Sequence, residues 1–154
     1  MSIVERALHL MEIDVFQALG TEQVARIAAN TTERHFEAGT LIPNPETGMF
    51  LVLEGRIELL VEGNVVRQFT PGMSFGLSAL LGSGGAIETQ ARSAEATHAL
   101  FLPKEDFLDT VNDHPEVAVA LLNRLSQMIL DLLRRVEMLE RQVSVPVPGR
   151  EPPP

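Results

Sequence analysis

Glycines recur at short intervals through the first half of the chain, at Gly39, Gly48, Gly55, Gly63 and Gly72, and the segments between them alternate in polarity. The alternation is clearest in Arg56-Ile57-Glu58-Leu59 and Val65-Val66-Arg67-Gln68-Phe69, and Gly63-Asn64 between these runs is a hairpin signal. Short strands separated by regular turns bury one face and leave the other in water. The expected fold is therefore mainly β with flanking helices, a jelly-roll β-barrel. Glu54, Glu58 and Glu62 alternate along a strand-like run, which reads as a solvated face rather than an acid/base pair.

Helical patterns enclose this region. Residues 1–30 read as N-terminal helices: Val4, Leu8 and Met11 share one face, and a second helix begins at Thr21 with a capping pattern and ends near Asn30. The barrel is assigned to 31–112. Asp113-His114-Pro115, a cap followed by proline at the first helical position, opens a long helix over 113–143. The proline-rich stretch 144–154 reads as a flexible or extended tail.

The long helix carries a heptad seam. Ala118, Leu122, Leu125, Ile129, Leu132, Val136, Leu139 and Val143 are spaced four, three, four, three. Leu122, Ile129, Val136 and Val143 fall at a, and Leu125, Leu132 and Leu139 at d, the arrangement that favours parallel two-stranded coils. A homodimer through this helix is the expectation, with Arg135 at g able to pair with Glu140 at e of the other copy. Met128 and Leu133 flank the seam, so the upper half is also expected to touch its own barrel. The alternative is a helix that merely closes the barrel in a monomer.

Composition narrows the function. A net charge of −9 and a pI near 4.9 argue against nucleic acid or an anionic membrane as partner, since both require a basic surface. Glu5 and Arg6 interrupt the N-terminal apolar stretch, so no signal peptide is read, and no apolar run suits membrane insertion. The absence of cysteine excludes disulfides and thiolate metal sites and fits a cytoplasmic protein. No nucleophile elbow, Walker loop or paired His-Glu zinc motif occurs, so an enzyme is the least supported class. His9 with Glu5 and Glu12 has helical spacing suited to a metal, but a solvated helix face is the simpler reading, and no metal or cofactor is expected. His35 and His98 read as hydrogen-bonded strand residues, and His114 as a helix-start residue.

The run from Pro71 to Pro103 says most about function. Pro71-Gly72 is a turn, Phe75-Gly76 leads into one apolar helical turn from Leu77 to Leu81, and Gly82 to Gly85 is a loop before a strand. A helix start flanked by glycines offers free backbone N–H groups to an anion. Phe75-Gly76, then Ser78-Ala79-Leu80-Leu81, the Gly-rich loop, Arg92 and Leu100-Phe101-Leu102-Pro103 resemble the cyclic nucleotide-binding domain family, which includes the sensor halves of CRP/FNR-type regulators. The resemblance runs from about Leu10 to the middle of the last helix.

That resemblance implies a ligand pocket at Phe75, Gly76, Leu77, Ser78, Ala79, Gly84, Gly85, Ile87, Glu88 and Thr89. In the family the position after Phe-Gly is a Glu that holds the ribose, and an Arg after the Gly-rich loop pairs with the cyclic phosphate; this chain has Leu77 and Ile87 there. Glu88 stands where the family usually has Ser or Thr. A charge-assisted hydrogen bond contributes about 1.5–3 kcal/mol, so losing two such groups costs a cyclic nucleotide several orders of magnitude in affinity, and tight cAMP or cGMP binding is not expected. Arg92 lies an odd number of residues from Ile87, hence on the opposite face of a continuous strand, and its expected role is structural.

Three readings of function follow. The first is a non-catalytic regulatory or signalling module, a homodimeric protein-interaction unit with a degenerate pocket. The second is a sensor for another ligand, such as a cyclic dinucleotide or an apolar metabolite, using the apolar floor of Leu77 and Ile87 and the backbone donors near Gly76 and Gly84. The third is a regulatory part of a larger assembly.

Overall fold

The segments Met49–Leu53 and Ala99–Leu102 are almost continuously apolar, a pattern expected of strands covered on both faces. The computed structural model, which describes residues 1–43, 45–76, 80 and 89–143, puts both in the middle layer of three. Strands β1 (Thr32–Phe36), β2 (Gly48–Glu54), β5 (Ser74–Phe75) and β7 (Thr97–Pro103) form one antiparallel sheet in the order β1-β7-β2-β5. Strands β3 (Ile57–Val61), β4 (Asn64–Phe69) and β6 (Thr89–Ser93) form a second sheet in the order β4-β3-β6. Among the described residues these are two packed sheets, not the closed barrel expected from the turn spacing. The jelly-roll class stands.

Alternation along the middle sheet divides the core in two. Met49, Leu51, Leu100 and Leu102 point towards the helices, where Leu10, Phe16, Val24, Ile27, Phe107, Val117 and Leu121 meet them. Phe50, Val52, Ala99 and Phe101 point the other way, into the roll, against Ile57, Phe69, Phe75 and Ala91. Each fully buried side chain of this size stabilises the fold by roughly 1.5–3 kcal/mol, so both layers depend on this one sheet.

The hairpin turn differs from the expected one. Val61 pairs with Asn64, so the loop is Glu62-Gly63, with φ of 51° and 79° respectively. Two consecutive positive φ values are those of the tight turn whose twist matches a two-strand ribbon, and Gly63 supplies the second at no steric cost. Consequently Glu54, Glu58 and Glu62 do not share a strand face: they lie in β2, in β3 and in the turn.

Among the described residues the helices with defined bounds are α1 (Ile3–Leu10), a short 3-10 segment (Asp14–Ala18), α2 (Thr21–Ala29), a 3-10 turn (Pro45–Thr47), α3 (Lys104–Asp113) and α4 (Pro115–Gln142). Ser2 caps α1, and Glu5 reciprocates by accepting from the Ser2 backbone N–H at 2.7 Å. The cap of α2 is Gly20 rather than Thr21, with Gln23 accepting from the Gly20 N–H. Val4, Leu8 and Met11 do share a face, but it is the exposed one, and α1 packs through Ala7 and Leu10 instead. Lys104–Asp113, read from sequence as part of the barrel, is helical and buries Phe107 and Thr110. The long helix has His114 at its cap and Pro115 first, while Asp113, read as its start, ends the helix before it.

Only the first turns of α4 are packed. Val117 and Leu121 are buried and Leu125 leans on the same core, while Arg124 bonds Asp14 of the 3-10 segment. Of the seam, Ala118 and Leu125 are half-buried, and Leu122, Ile129, Leu132, Val136, Leu139 and Val143 are each about half exposed or more. Leu133 is exposed too and does not reach the sheets, whereas Met128 is half-buried.

Candidate functional site

Phe75 and Gly76 lead into the expected ligand cassette and are fixed from several sides. Phe75 stacks on Phe50 at 5.0 Å between ring centres and tilts against Phe69 at the same separation. Gly76 has φ of 95°, and a Cβ there would collide with the carbonyl oxygen of Gly48, so the chain passes β2 at a distance only glycine allows. Four residues on, Leu80 donates its N–H to the Gly76 carbonyl at 3.1 Å and is fully buried in the helix-side core. Thr89, exposed, begins β6 on the far side. Leu77, Ser78, Ala79, Gly84, Gly85, Ile87 and Glu88, as well as the tail 144–154, lie outside the described residues.

Arg92 is turned away from the roll interior. Its neighbours Ala91 and Ser93 are buried, whereas Arg92 donates to Glu58 of β3 at 2.6 Å, its register partner on the outward face. Another arginine, exposed but with the strand parity of an inward residue, is one the sequence reading passed over. Arg67 is two residues before buried Phe69, and its guanidinium sits 5.0 Å from that ring centre. The period-2 rule applied to Phe69 would have found it. Arg34 of β1 makes the corresponding contact with Phe101, at 5.1 Å. Neither arginine has a carboxylate partner among the described residues.

A cavity of about 180 Å³ opens beside Arg34, lined by Phe36, Ile42, Pro43, Thr47, Phe50 and Phe101. These residues come from β1, β2, β7 and the segment after β1, so the cavity is an open edge of the roll interior.

The histidines belong to the other face of the same sheet. His35 and His98 are register partners whose rings stack at 4.2 Å, and His98 Nε2 lies 3.1 Å from Glu33. Glu33 is also 3.5 Å from the N-terminal ammonium and 3.9 Å from Arg6. Burial raises the Glu33 pKa, but the ammonium and His98 outweigh it and hold the carboxyl below its ordinary value. The cluster ties α1 to β1. Among the described residues no group of three or more His, Asp or Glu gathers in a geometry for a metal ion. No helix among them is long and apolar enough to cross a membrane.

The cyclic nucleotide-binding domain family matches residues 33–114, more than half of the chain. The chain belongs to this family. Solved structures share the fold of this cyclic nucleotide-binding domain. The N-terminal domain of a transcriptional regulator from Streptomyces coelicolor A3(2) superposes with a TM-score of 0.70 at 23% identity, over 80% of this chain and 94% of that one. A structure described as a putative cAMP-binding regulatory protein from Silicibacter pomeroyi DSS-3 gives 0.73 at 18% identity, over 86% and 64%. The sensor domain of the transcriptional regulator DNR from Pseudomonas aeruginosa gives 0.65 at 13%, over 96% and 98%. A glutaminase 2 from Bradyrhizobium diazoefficiens is 28% identical over 130 residues; the match takes in 82% of this chain and 20% of that protein. The chain thus spans about a fifth of the length of this curated relative. The family is one of regulatory domains, and no DNA-binding domain is present among the described residues.

Proposed function

We propose that this domain is a non-catalytic regulatory unit that does not bind cAMP or cGMP tightly and works as a homodimer contacting another protein. The observation that carries the first half is Arg92. With Ile87 in place of the phosphate-binding arginine, Arg92 was the nearest cation along the strand able to substitute, and it is engaged by Glu58 on the outward face. Calorimetry with cAMP and cGMP tests this: no saturable heat is expected up to about millimolar ligand, a ceiling of ~4 kcal/mol in binding energy. The second half is supported by the exposed heptad seam, since monomeric proteins rarely leave so continuous an apolar stripe in water. The acidic charge favours a cytoplasmic protein partner over nucleic acid, and a low-salt gel shift with random duplex should give no retarded band.

A second reading is favoured by the cavity beside Arg34: the domain senses a small ligand other than a cyclic nucleotide. Either reading accommodates a module acting within a larger assembly, and the stretch shared with glutaminase 2 supports one in which the controlled partner is an enzyme.

A further inference from the structure

Resting on the second of these readings, we infer that the cavity at the β1 edge binds a compact planar aromatic carboxylate, with Arg34 holding the carboxylate and Phe36, Phe50 and Phe101 enclosing the ring. The site owes nothing to the cassette: its lining comes from β1, β2 and β7 together with Ile42, Pro43 and Thr47.

Size sets the ligand class first. A cavity of about 150 Å³ holds one benzene ring, and drug-sized ligands need pockets of roughly 300–1,000 Å³. The volume of about 180 Å³ here admits one ring with a short substituent and rejects a nucleotide. The walls set the second property. Phe50 lies 6.3 Å from Phe36 and 4.6 Å from Phe101 between ring centres and is tilted to both, so a flat guest meets both faces and edges of aromatic rings.

Charge sets the third. Carboxylates outnumber cations 21 to 12 in this chain, yet Arg34 has no carboxylate partner among the described residues. It rests against Phe101 instead. Stacking uses the face of the guanidinium and leaves its N–H edge free to grip a carboxylate through two parallel hydrogen bonds. A neutral ring would fill the cavity but forgo that grip, and a phosphate monoester would bring about two charges to a single cation.

The test is an amide NMR titration of the full chain with benzoate, and with benzamide as a neutral isostere. Benzoate should shift the signals of Arg34, Phe36, Phe50 and Phe101 saturably in the millimolar range or below, and benzamide should bind at least about tenfold more weakly. Arg34→Gln should reduce benzoate to the benzamide level, and Arg34→Lys should restore part of the difference. Arg34 is exposed, so both variants keep the core that folds the domain. No saturable shift at ten-millimolar-order benzoate, shifts centred elsewhere, or equal binding of the two compounds would overturn the inference. Adding cAMP to the same samples separates the failures: saturable cAMP binding removes the reading of a pocket closed to cyclic nucleotides, whereas silence towards both ligands removes only the aromatic carboxylate.

Discussion

Arg92 and Glu58 face each other across the outward surface of β6 and β3 at 2.6 Å, directly opposed in the strand register. Alternation with buried Ala91 and Ser93 points the strand's cation outward, and the pair engages it there. It keeps Arg92 off the face on which Arg67 and Arg34, both exposed, lie against Phe69 and Phe101. With Arg92 about 40% exposed and Glu58 about 12%, the pair is only partly shielded from water. A double-mutant cycle with Arg92→Ala and Glu58→Ala should give a coupling of about 1 kcal/mol or less by urea denaturation. Arg92→Ala should leave the calorimetric silence towards cAMP unchanged; a wild type that binds cAMP and loses it on this substitution would return Arg92 to the pocket.

The cassette can be tested by rebuilding it. Leu77→Glu with Ile87→Arg restores an acceptor for a ribose and a cation for a phosphate, and the glycine geometry at Gly76 remains available to them. The double variant should acquire cAMP or cGMP binding measurable by calorimetry, and adding Glu88→Ser should strengthen it. A folded triple variant that stays silent would mean that more than these side chains separates the domain from its nucleotide-binding relatives.

Association through α4 predicts a mass change. Val136→Glu places a charge in the centre of the seam, and burying it against its counterpart carries a large desolvation cost. Light scattering should report a dimer for the wild type and a monomer for the variant, with the sheets intact by circular dichroism. A monomeric wild type at high micromolar concentration would discard the coiled-coil pairing.

Glu33 gives an acid dependence whose sign is fixed by its lowered pKa. A carboxyl with a folded pKa below its unfolded value of about 4.5 stabilises the fold fully above that value and loses the contribution as pH falls through the folded pKa. Glu33→Gln should therefore lower stability at neutral pH, and the gap between variant and wild type should close below about pH 4. A gap that widens on acidification would contradict the assignment of the N-terminal ammonium and His98 as the stabilising neighbours.

The strand-rich middle and the long helix were legible because each depends on a local rule: turn glycines with alternation for one, a heptad for the other. Lys104–Asp113 was not, because its inward face consists of little more than Phe107, Thr110 and Val111, too sparse to stand out between a strand and a proline. The hairpin loop was misplaced by one residue because Gly63-Asn64 is the commoner turn dipeptide, while the fold places Glu62 at positive φ. Val4, Leu8 and Met11 follow a helical spacing faithfully, but spacing identifies a face without saying whether it turns inward. The cavity could not be read at all. Arg34 and Phe101 lie far apart in sequence, and only the pairing of β1 with β7 brings them together.

Beyond Leu125, α4 continues for more than four turns with no side chain buried and only Met128 half-covered. Helical segments of that length are marginal in water on their own. Under the proposed dimer, its order comes from the other copy. In a dilute solution the distal turns should fray, and the helical signal of the chain should rise with protein concentration as copies associate. Under the proposed pairing, such a segment converts abundance into shape: how much of the distal α4 is helical follows how much of the domain there is.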